Sequence, residues 1–156
     1  MKKKWSSKPI AIIPARGNSK RLPRKNILPW KGTPLIGHSI KNAIASNVFS
    51  EVIVSSEDNE ILSYAKECGA KPIKRNDKLS KDTSTVVEVC ADIITDFDHS
   101  KYFCCIYATA AFMQPADLKS GKNLVNINPN QFVYPVTQYD YPLTRALKLN
   151  ENGYVK

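Results

Sequence analysis

The run Pro9 to Ala15 (PIAIIPA) constrains this chain more than any other stretch. It is short and almost continuously apolar, as in a strand buried on both faces, and such strands belong to parallel sheets covered by helices. The character of the chain then changes at once. Residues 16–33 are polar, basic and punctuated by Gly17, Pro23, Pro29 and Gly32, so they read as a loop. Pro34 opens a segment with Leu35, Ile36, Ile40 and Ile44 at helical spacing. Glu51 to Ser55 (EVIVS) reads as a second strand. Asp58 is placed to cap a helix running to about Cys68, where Gly69 ends it. Residues 71–75 read as a short third strand, followed by a polar loop from Asn76 to Ser84 and a helix from about Thr85 to Phe97. Tyr102 to Tyr107 (YFCCIY), apolar throughout, reads as a fourth strand. Pro115 starts a helix to about Asn126, and Gln131 to Val136 reads as a fifth strand. This strand–helix alternation predicts an α/β fold with a mostly parallel sheet and helices on both faces. No internal repeat or low-complexity segment interrupts it.

Charge is distributed unevenly. Residues 1–50 hold 11 Lys and Arg and no acid, whereas the remaining 12 share their part of the chain with all 14 acids. A basic block of this kind suits a polyanion. Lys2 to Lys8 fits a solvated tail, which sets the expected organisation as tail 1–8 and domain 9–156. Arg16 to Lys25 fits that description poorly, because it directly follows a buried strand. The composition, 42% apolar and 24% charged in 156 residues, is that of one globular domain with a real core. No apolar run approaches the ~20 residues of a membrane span. The stretch Ile10–Ile13, cut off by Pro14, is too short for a signal sequence. Cys68, Cys90, Cys104 and Cys105 form no C-x-x-C pair and read as reduced core residues of a cytoplasmic protein. His38 and His99 read as packing or surface residues.

In open α/β sheets ligands bind at the carboxyl ends of the strands, so the first loop is the candidate site. It contains neither G-x-x-x-x-G-K-[ST] nor G-x-G-x-x-G. It does contain five cations in the ten residues 16–25, with Gly, Asn and Ser among them. Gly17 allows close backbone approach, and free N–H groups around Gly17 to Ser19 would form an anion nest. Arg16 is suited to bidentate phosphate contacts, and Lys20 and Lys25 to point-charge contacts. The competing reading is a solvated basic loop.

The segment IIPARGNSKRLPRKNI resembles the signature loop of the acylneuraminate cytidylyltransferases, also called CMP-sialic acid synthetases. TPLIGHSI and VIVSSEDNEI resemble that family's next two segments, and Arg75 with LSKDTST resembles its base-recognition loop. CIYATAAF and PVTQYDYPLTRALKLN are most similar to the pseudaminic acid cytidylyltransferases. The resemblance spans about Pro9 to Asn150. It implies a Rossmann-like three-layer sandwich of the nucleotide-diphospho-sugar transferase type. It also implies transfer of CMP from CTP to the anomeric hydroxyl of a nine-carbon sugar acid, with release of pyrophosphate. On that basis Arg16, Gly17, Ser19, Lys20 and Lys25 hold the triphosphate, with Arg16 and Lys25 as the catalytic pair, and Asn26 meets the nucleotide sugar or base. Arg75 and the backbone near Ser84 read cytosine, with Asp82 shaping that loop. Tyr107, Thr109 and Arg145 meet the acceptor sugar, although Arg145 also suits a pair with Asp140 or Glu151.

The chain departs from the family pattern in two places. Where sialic acid enzymes carry Gln-Pro-Thr-Ser-Pro, this chain has Tyr107-Ala108-Thr109-Ala110-Ala111. Tyr107 points toward pseudaminic or a related acid, and Ala111 makes the turn less rigid than Pro does. Glu57 and Asp58 read as structural or capping groups. The family continues into a dimerisation segment and a late Asp-x-Asp that binds Mg²⁺. Here the one D-x-D is Asp96-Phe97-Asp98, at a helix end. Mg²⁺ is thus expected from the family, with its ligands outside this chain, and the chain by itself is expected to bind CTP but catalyse poorly. CTP and a nonulosonic acid are the expected partners, with a homodimer in the full-length family, no membrane and no nucleic acid. The alternatives are a Kdo-type cytidylyltransferase and a truncated nucleotide- or RNA-binding module without catalysis. An RNA-binding sheet exposes aromatics, whereas Tyr102, Phe103 and Tyr107 read as mainly buried.

Overall fold

The computed structural model describes residues 3–4, 8–19, 22–98, 102–138, 140 and 150–152. In chain order the strands are β1 (Lys3–Lys4), β2 (Ile10–Pro14), β3 (Pro29–Trp30), β4 (Thr33–Pro34), β5 (Glu51–Ser56), β6 (Lys71–Lys74), β7 (Phe97–Asp98) and β8 (Cys104–Cys105). The α-helices are α1 (Leu35–Ala45), α2 (Asn59–Glu67), α3 (Val86–Ile94) and α4 (Pro115–Ile127). The main sheet has the order β6-β5-β2-β8, and every pairing in it is parallel.

Strand alternation divides the apolar residues between two cores. Ala11 and Ile13 of β2 and Val52 and Val54 of β5 face one side, where they meet Ile36, Ile40 and Ala43 of α1 and Ile61 and Ala65 of α2. Ile10 and Ile12 of β2 and Ile53 of β5 face the other side, against Val89, Cys90 and Ile93 of α3. A sheet covered on both faces explains why β2 is apolar at nearly every position. The helix ends follow local chemistry. Asp58 Oδ1 accepts from the backbone N–H groups of Glu60 and Ile61, and Gly69 takes φ +87° just past α2. Thr85 and Glu88 form a reciprocal capping box at the start of α3.

Four expectations need correction. The helix after Thr85 stops at Ile94, and Phe97–Asp98 pairs instead with Lys3–Lys4, so part of the basic tail joins a small parallel ladder. The fourth strand shrinks to Cys104–Cys105, with one further ladder bond from Ile106 N–H to the Ile12 carbonyl, 2.9 Å. Among the described residues it is an edge strand; Cys105 and Phe103 are exposed, and Tyr107 is 64% exposed. The four cysteines are free, but only Cys90 is buried. Gln131 to Val136 forms no strand, because it has no ladder partner among the described residues; Phe132 is 96% exposed. His38 is a packing residue, its ring edge-on to Trp30 at 4.9 Å and its Nε2 at 3.0 Å from the Trp30 carbonyl. His99 lies outside the described residues.

Ile12 is fully buried between β5, β8 and α3. Ile12→Ala is therefore expected to cost about 2–5 kcal/mol in urea unfolding, whereas Ile44→Ala, on the exposed side of α1, stays within about 1 kcal/mol.

Candidate active site

Strands β5, β2 and β8 run parallel, so their carboxyl ends open at one edge of the sheet. A cavity of about 190 Å³ lies there. Pro14 lines it from β2 and Val89 from α3. Arg16, Ser19, Lys25 and Asn26 line it from the first loop, Arg75 and Ser84 from the segment between β6 and α3, and Tyr107 and Thr109 from the exit of β8. These residues come from four separate segments of the chain. Lys20 and Arg145, both singled out from the sequence, lie outside the described residues.

The first loop is held from within and from across the cavity. Asn26 is buried, and its side-chain amide donates to the Arg16 carbonyl at 2.8 Å. The Arg16 guanidinium donates through Nη1 to Asp82 Oδ1 at 2.7 Å, and to the Lys81 carbonyl at 3.4 Å. Asp82 does not line the cavity; it anchors Arg16 at the rim. Gly17 does not line it either, and its N–H is not free for an anion nest, because it donates to Glu57 Oε1 at 2.8 Å. A Cβ at Gly17 would meet Asp58 Oδ2 at 2.5 Å. The glycine therefore serves close packing against Asp58. Asp58 in turn is fixed by the α2 cap and by Arg24 Nη1 at 2.9 Å.

Arg75 is only 4% exposed, although a lone arginine in a polar loop reads from sequence as a surface residue. Its Nη2 donates to the Ser55 carbonyl at 2.6 Å and its Nε to Ser55 Oγ at 3.2 Å. Burial lowers its pKa from the ordinary value; the Glu57 carboxylate opposes that shift and the charge of Arg16 adds to it. Arginine remains cationic from so high a starting point. The cavity thus holds two guanidinium groups that repel one another and a lysine, an arrangement that an anionic occupant relieves. Ser84 N–H donates to the Lys81 carbonyl at 3.1 Å, and Ser84 Oγ to the Lys78 carbonyl, which fixes the loop above Arg75. At the exit of β8 the turn is closed by Ala110 N–H on the Tyr107 carbonyl, and Ser39 Oγ holds the Ala108 carbonyl from α1. Ala111 is buried in that turn, so packing supplies restraint where a proline ring does not.

Asp58 supports the site through both α2 and Arg24. Its own burial favours the neutral acid, but the hydrogen bonds from Arg24, Ile61 and Glu60 prevail and hold its carboxyl below the ordinary value. Stability from this group is therefore present above the unfolded carboxylate range and is lost as pH falls through the lowered folded value. Asp58→Asn, which keeps a cap acceptor, is expected to cost about 0.5–1 kcal/mol at pH 7. In thermal melts the difference between the two proteins should narrow below about pH 4.

The family model for Cytidylyltransferase matches residues 10–151. The chain is 42% identical to pseudaminic acid cytidylyltransferase of Campylobacter jejuni subsp. jejuni serotype O:2, across 95% of this chain and 66% of that protein. It is 33% identical to CMP-N,N'-diacetyllegionaminic acid synthase of Legionella pneumophila, across 77% of this chain and 57% of that protein. It therefore spans less than two thirds of each of these curated relatives, 66% of the first and 57% of the second. Among solved structures, CMP:2-keto-3-deoxy-manno-octonic acid synthetase complexed with CTP superposes with a TM-score of 0.70 at 22% identity, over 80% of this chain and 49% of the other. At that identity the likeness establishes the α/β fold. With a family match over nearly its whole length, this chain belongs to the cytidylyltransferase family.

Proposed function

We propose that this protein transfers CMP from CTP to the anomeric hydroxyl of a nine-carbon sugar acid of the pseudaminic type. The anomeric oxygen bonds to the α-phosphorus, the bond from that phosphorus to the bridging oxygen breaks, pyrophosphate leaves and the hydroxyl proton is released. The observation that carries this reading is the gathering of Arg16, Lys25 and Arg75 with Tyr107 and Thr109 around one cavity at the sheet edge. The acceptor class is supported by the names of the relatives in Campylobacter jejuni and Legionella pneumophila.

In this reading Arg16, Ser19 and Lys25 take the triphosphate. Arg16 and Lys25 stabilise charge that develops on the α-phosphate and the leaving pyrophosphate. Arg75 and the backbone at Ser84 meet the cytosine edge, Asn26 the ribose or base, and Tyr107 and Thr109 the acceptor. Gly17 and Asp82 act by shaping the loops. Lys20 and Arg145 belong to the same proposal on their sequence motifs alone. Mg²⁺, when bound, would neutralise triphosphate charge. Among the described residues, however, no group of three or more His, Cys, Asp or Glu is arranged to hold a metal. Of the acids beside the first loop, Glu57 gives one oxygen to Gly17 N–H and turns the other to the Arg75 guanidinium, and Asp58 is paired with Arg24. The residues described do not fit a resident ion, and no step is assigned to one.

The division into tail 1–8 and domain 9–156, a cytoplasmic setting and a homodimer complete the proposal. Exposed Leu124 and Ile127 on α4 support a further packing surface. Among the described residues no helix is long and apolar enough to cross a membrane. An RNA-binding reading gains from the exposure of Tyr107 and Phe103, but Tyr107 stands at the cavity and not on an open sheet face.

Calorimetric titration separates these readings. CTP is expected to bind far more tightly than a short single-stranded RNA. Arg16→Ala is expected to weaken CTP about ten- to hundredfold, the effect of removing charge-assisted bonds worth roughly 1.5–3 kcal/mol. Lys41→Ala, on the exposed side of α1, should change little. Equal losses from both substitutions would reduce the effect to net charge and contradict the site.

A further inference from the structure

We propose that Glu57 is a positioning residue of the nucleotide site, its carboxylate tying the Gly17 backbone of the first loop to the guanidinium of Arg75. This rests on the nucleotide site proposed above. Oε1 of Glu57 accepts from Gly17 N–H at 2.8 Å. Oε2 is buried and has no hydrogen-bond partner, and it lies 4.0 Å from Arg75 Nη1. Two of the guanidinium nitrogens are already committed to Ser55, Nη2 at 2.6 Å and Nε at 3.2 Å. The remaining Nη1 corner is thus the part of Arg75 left to be set by Glu57 and a ligand. Glu57 is itself fixed, because Lys74 Nζ donates to its backbone carbonyl. The neighbouring Asp58 performs a different task, capping α2 and pairing with Arg24.

The position of this charge argues for geometry over affinity. A carboxylate beside a cationic phosphate site repels a triphosphate, and it withdraws the Gly17 N–H from any anion nest. Its benefit therefore lies in what it holds in place. It fixes the spacing between the start of the first loop, where phosphates are expected, and the buried arginine, where the base is expected. Local spacing in the sequence does not reveal such a role, because the partners are 40 and 18 residues away.

The test compares the full chain with Glu57→Gln and Glu57→Asp. Dissociation constants are measured for CTP, UTP and inorganic tripolyphosphate, and exchange of the Arg75 Nε–H is followed by NMR without nucleotide. Glu57→Gln is expected to compress the preference for CTP over UTP about tenfold while tripolyphosphate binds as well as before or more tightly. Arg75 Nε–H exchange should rise about tenfold. Glu57→Asp, which keeps the charge but withdraws it by one methylene, should move the same readouts in the same direction and serves if the glutamine variant does not fold. Uniform weakening of all three ligands, or unchanged discrimination with unchanged exchange, would overturn the assignment. A wild-type chain with no preference for CTP would sink the proposed function; the exchange rates would still decide on Glu57, and unchanged rates would overturn its role.

Discussion

Everything at the site depends on the parallel pairing of β2 with β5 on one side and β8 on the other. Parallel pairing makes three strands end at one edge, so three loops distant in sequence share one space. The register Ile12↔Ile53 places the end of β2 beside the end of β5. Ala15 N–H continues the ladder to the Ser55 carbonyl at 2.9 Å, and the next residues of the two loops then meet as Gly17 and Glu57. The hydrophobic burial of Ile10 to Ile13 and Val52 to Val54 fixes that register, because a one-residue slip would exchange the two cores. The chemistry of the edge is thus anchored by apolar packing beneath it.

Charge at this edge is arranged by depth. Arg75 is buried and held by Ser55, whereas Arg16 is half-exposed and held at the rim by Asp82. A buried guanidinium is costly unless it is bonded and charge-balanced; Ser55 accepts from two of its nitrogens, and Glu57 supplies the opposing charge at 4.0 Å. Arg16, closer to water, is free to exchange Asp82 for a stronger anion at modest cost. The two arginines are therefore held differently, one fixed in the interior and the other at the rim where its partner can be exchanged. The Ser84 loop and the capped start of α3 close the side between them.

Much of this was legible in the sequence, for physical reasons. PIAIIPA and EVIVS announced buried strands because a doubly covered sheet has no polar face. Asp58, Gly69 and Thr85 marked helix ends because caps are local. Arg16, Ser19, Lys25 and Asn26 were gathered by one dense cationic loop, and the structure does bring them together. Other features depend on partners far along the chain. Gln131 to Val136 has strand-like composition, but a strand exists only where a neighbour completes its hydrogen bonds. The burial of Arg75 follows from Ser55 and Glu57, 20 and 18 residues earlier. Glu57 read as a capping acid like Asp58, since nothing in its spacing reveals the Gly17 N–H across the sheet edge.

One cavity, built from the segments that follow β2, β6 and β8 and from the start of α3, is proposed to receive a cytidine nucleotide. A ¹⁵N NMR titration with CTP tests it most directly, because it reports every backbone amide at once. The largest shifts are expected on Ser19, Asn26, Arg75, Ser84 and Thr109, with α4 and the antiparallel pair β3–β4 little changed. Shifts concentrated on the N-terminal lysines or on α4, with these five amides unmoved, would contradict it.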